Sequence, residues 1–307
     1  MDLSTILGLG QTALELGLIS GLTVLALFLS YSMLNICDLS TDGCFTLGAA
    51  VGATVAAAGY PYLSIFAAMG AGIVSGLITA FLQTKMGIDS LLSGIIVNTG
   101  LYSINIAIMG SSQVNLNKAD TVFTKMNSLL AETAFSGQSK LVVILIAVVL
   151  VVLFLSVFLK TKLGLAIRAT GNNSAMVKSS SINPVFTIII GLCISNAFTG
   201  LSGCLMAQYN KSANIDIGSG IVTIALASLL IGRAFFGRGK IPLRAVGVVI
   251  GSVVFRLVYT VALRFNIPAY MLKLVSSVIV IIAISGPYLR RQLPIVIKRI
   301  RAGRGEA

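Results

Sequence analysis

The 307-residue sequence predicts an all-α membrane protein, a single polytopic transmembrane helical bundle of about eight to ten spans over residues 1–307. Apolar residues make up 56% of the chain and charged residues only 10%, whereas soluble domains carry about 25% charged residues. The sequence contains no histidine. This excludes a Ser-His-Asp nucleophile, a histidine-ligated metal and a histidine proton relay.

Eight apolar runs are long enough to cross a bilayer, because about 20 apolar residues span its hydrocarbon core as a helix. These runs lie at residues 13–34, 39–58, 63–82, 91–109, 141–159, 185–208, 245–263 and 271–289. A ninth run, 221–231, is too short for a full span and is followed at once by Arg233. It predicts a short or re-entrant helix, a common feature of transporters.

The basic residues predict which loops face the cytoplasm. With nine crossings and a basic cytoplasmic tail at 290–307, 15 of the 22 Lys and Arg residues lie in inside segments and at most 6 in outside segments. Cytoplasmic loops of membrane proteins carry the excess of Lys and Arg. This orientation is therefore favoured, with 160–184 inside, and with 110–140 and the N-terminus outside. The net charge of +13 follows from this asymmetry and does not indicate nucleic-acid binding.

Small residues recur at four-residue intervals in several spans and predict close helix packing. Lipid provides no hydrophobic force between helices, so faces that let two backbones approach hold such bundles together. These faces are Gly48, Gly52 and Ala56; Gly72, Gly76 and Ala80; Gly191, Ser195, Thr199 and Gly203; and Gly247 with Gly251. The four cysteines form no CxxC pair, so they are interpreted as packing residues and not as a zinc site or disulfide frame.

The stretch 38–43 imitates the first half of a calcium-binding loop. Oxygen-bearing side chains at positions 1, 3 and 5 precede a turn glycine, but position 12 is Ala49, where the loop needs a bidentate glutamate. Calcium binding is therefore not expected. Two interpretations stay open. The oxygens cap the N-terminus of the second helix, or Asp42, with Phe45 and Thr46, lines a substrate path.

Polar residues inside spans are costly and mark candidate functional sites. In the fourth predicted span they share one helical face, because seven residues make close to two turns. The residues on this face are Asn98, Tyr102, Asn105 and Met109. They either line a pore or bond to neighbouring helices, and the same alternatives apply to Asn196. Arg256 lies about half a span from either end and is expected to pack or snorkel with a carbonyl as its partner.

The loop 160–184 mixes apolar and basic positions and predicts two short helical stretches broken at Gly171. Asn172 or Asn173 can cap the second stretch. Such a loop either rests on lipid headgroups or docks into a groove on a cytosolic partner.

No nucleotide-binding site is expected in this chain. The nearest approach to a phosphate-binding loop is 232–241, where Ala234 replaces a required glycine. Ile241 stands where Ser or Thr would hold magnesium. No cofactor is therefore expected here. If the protein pumps, ATP and Mg²⁺ are bound by an ATPase that is another chain.

The segment RATGNN at 168–173, followed by SIN at 181–183, resembles the cytoplasmic loop of permeases of the branched-chain amino acid and ribose type of ABC importer. In that family the loop forms the coupling helix that seats on the ATP-binding subunit. Ser181 stands where the family usually has glycine. The residues that the resemblance places against the ATPase are Arg168, Ala169, Gly171, Asn173, Met176 and Lys178.

The stretch DLSTDGCFTLGAA at 38–50 looks like the D-L-T-x-[DE]-G-S-F-x-L-G-A-A stretch of one subgroup of this family, often encoded beside a binding lipoprotein and an ATPase. LSG at 201–203 and AQY at 207–209 also fit the family. Cys44 stands where the subgroup usually has serine. The resemblance covers nearly the whole chain, in order.

The resemblance implies a permease of the bacterial inner membrane, a transport subunit without an ATPase site of its own. Such a permease forms a homodimer around a central path, receives solute from an external substrate-binding lipoprotein, and is driven by cytosolic ATP-binding subunits. The subgroup suggests an amino acid as the solute, with aromatic amino acids among the candidates. The positions expected to contact solute are Asp42, Phe45, Thr46, Asn98, Tyr102, Asn105 and Asn196.

The alternative from another class is a secondary transporter driven by an ion gradient. Such proteins place acids or other ion ligands near the middle of the membrane. Here only Glu15 and Asp42 are available, both close to the ends of predicted spans. A membrane-embedded enzyme fits less well, because the sequence shows neither paired aspartates nor a serine with a base.

Overall fold

The structure, a computed structural model, describes residues 3–129, 138–237 and 239–264, with isolated positions between 271 and 285. In order, its elements are α1 (Leu3–Leu27), α2 (Thr41–Ala57), α3 (Pro61–Thr84), α4 (Ser90–Met109), β1 (Gln113–Asn115), α5 (Val122–Leu129), α6 (Ser139–Phe158), α7 (Lys162–Asn172), α8 (Ser174–Ser179), α9 (Pro184–Asn210), β2 (Ser212–Asn214), α10 (Ile221–Phe236) and α11 (Ile241–Arg264). A π-helical turn, Phe28–Met33, continues α1. Apart from the isolated positions, the predicted span 271–289 and the tail 290–307 lie outside the described residues.

Helices dominate the described residues, as the sequence predicts, and six are long and apolar enough to cross a membrane. These six cover Gly8–Met33, Pro61–Thr84, Ser90–Met109, Ser139–Phe158, Pro184–Asn210 and Ile241–Ala262. Helices α2 and α10 have 17 and 16 residues, fewer than the about 20 that a full span needs. The total of eight to ten spans therefore stays a prediction.

A two-stranded ribbon is the part of this fold that the all-α prediction did not include. Strands β1 and β2 have three residues each and pair antiparallel, with Val114 opposite Ala213. The pairing holds the chain after α4 beside the chain after α9. These two helices therefore end at the same face of the bundle.

Contacts between helix termini define two opposite ends of the bundle. Tyr209, at the end of α9, donates its hydroxyl to Glu15, halfway along α1, and Lys140 at the start of α6 lies over the Tyr209 ring. This end, which includes β1 and β2, is called the strand end. At the other end, α7 and α8 lie beside the start of α9, and Gly171 of α7 packs against the Met33 carbonyl. It is called the α7–α8 end.

Helices α2 and α3 pack against α9 through the small residues that the sequence pattern singled out. A Cβ atom at Gly48 would collide with the backbone of Gly200, and one at Gly72 would collide with the carbonyl of Asn196. Gly52 meets the Cys204 side chain in the same way. The prediction of close backbone packing is confirmed for these faces. All four cysteines are free thiols, and Cys204 is a buried packing residue as predicted.

Helices α2 and α10 both begin inside the bundle. The Cys44 thiol, in the first turn of α2, donates to the Asn196 carbonyl at 3.4 Å. Asn196 lies about 18 Å along the 27-residue helix α9, close to its middle. Gly218, just before α10, contacts the Asp42 carbonyl. The chain after β2 therefore turns back into the bundle before α10 starts, and the predicted short helix is confirmed as α10.

Candidate translocation path and partner-binding face

Asp42 joins the two helices that start inside the bundle. Its carboxylate accepts hydrogen bonds from the backbone N–H groups of Gly220 and Val222, at N–O distances of 3.0 and 2.8 Å. These groups open α10, where the helix dipole favours negative charge. The prediction that the oxygens of 38–43 cap α2 is therefore wrong for Asp42, which caps α10. Asp42 also lies near the middle of the bundle and not at a span end, because α2 starts there.

A buried polar network beside Asp42 centres on Asp38, for which no separate role was predicted. Asp38 Oδ1 accepts from the backbone N–H and the hydroxyl of Ser40, at 2.9 and 2.5 Å. Its Oδ2 accepts from Asn196 Nδ2 at 2.8 Å, and Thr79 of α3 donates to the Ser40 hydroxyl. The network joins the start of α2 to α3 and α9. In the sequence, an acid ahead of an apolar run looks like an ordinary helix cap, so the pattern could not reveal these distant partners.

Two of the predicted path residues are asparagines that tie neighbouring helices to α2. Asn196 of α9 is bound to Asp38, and Asn105 of α4 donates its Nδ2 to the Gly43 carbonyl at 3.2 Å. Both side chains are buried. Within the described part of the chain, neither Oδ1 atom has a hydrogen-bond partner. Each amide therefore supplies a structural bond and keeps one carbonyl oxygen available.

The remaining predicted path residues lie in different environments. Asn98 is half-buried against Gly43 of α2, whereas Tyr102 is 52% exposed. The Thr46 hydroxyl donates to the Asp42 carbonyl of its own helix. The residues that the structure brings together around the first turns of α2 are Asp42, Phe45, Thr46, Asn98, Asn105 and Asn196. Tyr102 lies apart from this group on the surface of α4.

Arg256 is a packed arginine, as predicted, but its partner is not a carbonyl. Its Nε and Nη2 atoms donate to the Ser20 hydroxyl of α1 at 3.2 and 3.1 Å. Its guanidinium carbon lies 5.8 Å from the centre of the Tyr259 ring, within cation–π range. The carbonyls of α1 already accept helical hydrogen bonds, so a hydroxyl and a ring take the place of the expected carbonyl.

Two short helices form the loop 160–184, as predicted, but the break between them lies at Asn173 and not at Gly171. Asn173 is extended, with φ −159°, and its side chain caps α8 by accepting the Met176 N–H at 3.0 Å. Gly171 stays within α7, where only a residue without a Cβ atom can pack against the Met33 carbonyl. The predicted asparagine cap is confirmed, and the predicted glycine break is wrong.

Helix α8 presents an exposed face at the α7–α8 end. Met176 is 67% exposed, and Ala175 and Lys178 on the same short helix are also exposed, whereas Val177 is buried. A large apolar side chain held outward by a capped helix is suited to enter a groove on a partner.

The residues of α7 are less accessible than those of α8. Ala169 is exposed, but Gly171 is packed and Arg168 is half-buried. Arg168 also lies close enough to Arg244 of α11 for like-charge repulsion. Arg244 in turn lies over the Phe28 ring at 5.6 Å. Helix α7 therefore packs against the bundle, whereas α8 has the exposed face that a partner can bind.

Comparison with known proteins identifies a family over most of the chain. Residues 11–284 match the family described as branched-chain amino acid transport system / permease component. A tyrosine transport system permease protein of Clostridioides difficile is 32% identical over 266 residues, which cover 86% of this chain and 86% of that protein.

More distant relatives carry other names. An uncharacterized protein of Rickettsia prowazekii is 30% identical over 278 residues, covering 89% of this chain and 96% of that protein. The ribose import permease protein of Escherichia coli is 24% identical over 251 residues, covering 80% of this chain and 75% of that protein. No solved structure matches the chain.

Proposed function

The chain belongs to the family of branched-chain amino acid transport permeases, and on that basis we propose that it is the permease subunit of an ABC importer for an amino acid. It is a multi-pass protein of the bacterial inner membrane. The observation that carries the proposal is 32% identity to a tyrosine transport permease over 86% of both chains. An aromatic amino acid is therefore the solute class that we propose.

We assign the contact with a cytosolic ATP-binding subunit to the face of α8. Three features support the assignment: an asparagine cap that fixes the helix, a methionine 67% exposed, and exposed Lys178 beside it. Methionine adapts its shape to irregular grooves, and lysine reaches acidic or carbonyl partners. ATP and Mg²⁺ would act on that subunit, and no covalent chemistry is proposed for this chain.

The solute path is proposed to pass the first turns of α2 and α10. In transporters, helices that start near the middle of the membrane direct their positive N-terminal ends toward solutes. Here two such helix starts meet at Asp42. The buried, unpartnered Oδ1 atoms of Asn105 and Asn196 lie on the neighbouring helices. A change in the position of α2 would expose these groups to a passing solute.

The assembly that we propose is a homodimer of permeases with an external substrate-binding lipoprotein. The exposed face of α4, which carries Tyr102, would line the central path with its copy in the second subunit. The lipoprotein would dock at the strand end, which faces outward in the orientation that the basic residues favour.

A secondary transporter is a weaker candidate for the same geometry. Asp38 and Asp42 do lie near the middle of the bundle, where an ion ligand would be needed. All four of their carboxylate oxygens, however, already accept hydrogen bonds from neutral protein groups. These two acids therefore hold helices together and are not free to bind an ion, so ATP is the energy source that we propose.

The proposal is tested by purifying the chain with the ATP-binding subunit encoded beside it. We expect a stable complex that Met176→Ala weakens by about 1–3 kcal/mol, as for an apolar anchor in an interface. Arg168→Glu should also reduce assembly or uncouple ATP hydrolysis from transport. Met86→Ala is the matched control, because Met86 is 61% exposed but lies outside α7 and α8. Normal assembly and transport in both the Met176 and Arg168 variants would remove this loop from the mechanism.

A further inference from the structure

A polar cavity of about 560 Å³ opens at the strand end, between α1, α5, the start of α6 and the end of α9. Its lining among the described residues includes Gln11, Glu15, Phe123, Lys140, Tyr209 and Lys211. None of the proposed path residues around α2 lines it. Ligand-binding pockets commonly have volumes of about 300–1,000 Å³, so the cavity is large enough for a small solute.

One wall of the cavity carries a buried carboxylate with neutral partners. Glu15 is 4% exposed. Its Oε1 accepts from Gln11 Nε2 at 3.1 Å, and its Oε2 accepts from the Tyr209 hydroxyl at 2.8 Å. A carboxylate can accept about four hydrogen bonds, and a buried charge without a counter-charge is costly. Glu15 therefore retains the capacity to bind a cationic group that enters the cavity.

Residues of the opposite charge line the same cavity. The Lys140 ammonium lies 5.1 Å from the centre of the Tyr209 ring, and Lys211 is a second basic residue in the lining. Phe123 packs edge-to-face on Tyr209, with ring centres 6.0 Å apart. The cavity lining thus combines one buried acidic residue, two basic residues and the aromatic rings of Phe123 and Tyr209.

We propose that this cavity is a binding site for a free amino acid in its zwitterionic form. Glu15 accepts hydrogen bonds from the amino acid's ammonium group, and Lys140 pairs with its carboxylate. The solute side chain lies along Phe123 and Tyr209. The inference rests on the proposed function only in treating the amino acid as cargo. The cavity would give each permease subunit a solute-binding site at the strand end, where the binding protein would deliver solute.

The test measures equilibrium binding of small ligands to the full-length chain alone, in lipid nanodiscs. The probes are L-tyrosine, tyramine, which lacks the carboxylate, and 3-(4-hydroxyphenyl)propionate, which lacks the ammonium group. L-Tyrosine should bind at least about tenfold more tightly than either analogue, the difference expected for one hydrogen bond to a charged group. The other proteinogenic amino acids are measured in the same assay at up to millimolar concentrations.

Two charge-removing variants assign the ends of the ligand. Glu15→Gln should weaken binding of the amino acid by at least about tenfold and leave 3-(4-hydroxyphenyl)propionate unaffected. Lys140→Gln should weaken the amino acid and leave tyramine unaffected. Asp216→Asn and Lys118→Gln are the matched controls, because both residues are exposed and lie outside the lining. Neither control should change binding.

Three results would overturn the inference. One is the absence of binding by every amino acid, and another is equal binding of the zwitterion and both analogues. The third is a Glu15→Gln variant that binds the amino acid as tightly as the unsubstituted chain does. Because the assay uses the permease alone, it can fail while ATPase assembly and transport succeed. The proposed function can likewise fail while binding succeeds.

Discussion

At the residue scale, two aspartates determine where helices start. Asp42 accepts two backbone hydrogen bonds from α10, and Asp38 accepts three hydrogen bonds from Ser40 and Asn196. Hydrogen bonds to charged groups contribute about 1.5–3 kcal/mol. Removing such an acceptor would also leave buried donors without partners. Both acids therefore stabilise the fold before any solute is present.

Replacing Asp42 by alanine should destabilise the protein through loss of the α10 cap. Loss of an N-cap costs about 0.5–2 kcal/mol, and two part-buried N–H groups would lose their acceptor, so we expect about 2 kcal/mol in total. Asp42→Asn retains one acceptor oxygen and should lose about half as much. The measurement is the thermal unfolding midpoint of the detergent-solubilised chain, followed by circular dichroism.

Asp89 provides the matched control for this prediction. It caps α4 through a single bond to the Leu91 N–H at 2.9 Å, at an exposed position. Asp89→Ala should therefore lower the midpoint less than Asp42→Ala. Equal effects of the two substitutions, or no effect at Asp42, would show that the link between α2 and α10 contributes little.

At the element scale, helix positions follow from apolar runs, but some helix ends depend on distant contacts. The run 91–109 became α4 almost unchanged, since Asp89 caps its start and Gly110, with φ 67°, ends it. Both signals are local. The end of α7 could not be predicted in this way. Gly171 is a packing residue that contacts the Met33 carbonyl and does not break the helix, and the turn lies at Asn173.

Close packing of α3 on α9 predicts different outcomes for two nearby glycines of α3. Gly72→Ala should destabilise the protein, because the new Cβ would collide with the Asn196 carbonyl. Gly70→Ala should be neutral or stabilising by up to about 1 kcal/mol, since nothing lies within 4 Å of that site and alanine favours helix more than glycine. Both variants are compared by thermal unfolding midpoint in the same detergent.

The difference in unfolding midpoint between these two variants tests whether the backbones of α3 and α9 are in contact. If Gly72→Ala were as stable as Gly70→Ala, the helices would not approach as closely as the structure places them. A lower midpoint for Gly72→Ala alone would agree with backbone contact between α3 and α9.

At the scale of the whole molecule, the all-α membrane class could be predicted from the sequence, but the interior of the bundle could not, and the orientation stays a prediction. Apolar content and basic loops depend on sums over many residues, so they are visible in the sequence. The contact between Asp42 and the start of α10 joins positions 178 and 180 residues apart. Nothing in the local pattern marks these two segments as partners, and the same holds for Glu15 and Tyr209.

Orientation is tested with single cysteines in a background that lacks the native four. Asn173 lies at the α7–α8 end and Asn117 follows β1 at the strand end, and both are exposed. An impermeant thiol reagent added to intact cells should label Asn117→Cys and spare Asn173→Cys. Inverted vesicles should give the opposite pattern. Labelling of both positions from outside would refute the orientation.

The most direct test of the central claim measures uptake of radiolabelled L-tyrosine into liposomes that contain this chain and its ATP-binding subunit. The binding protein is added outside and ATP is enclosed, with no ion gradient imposed. We predict uptake that requires ATP hydrolysis and the binding protein. Uptake by the chain alone, driven by a sodium or proton gradient and indifferent to ATP, would contradict the assignment as an ABC importer permease.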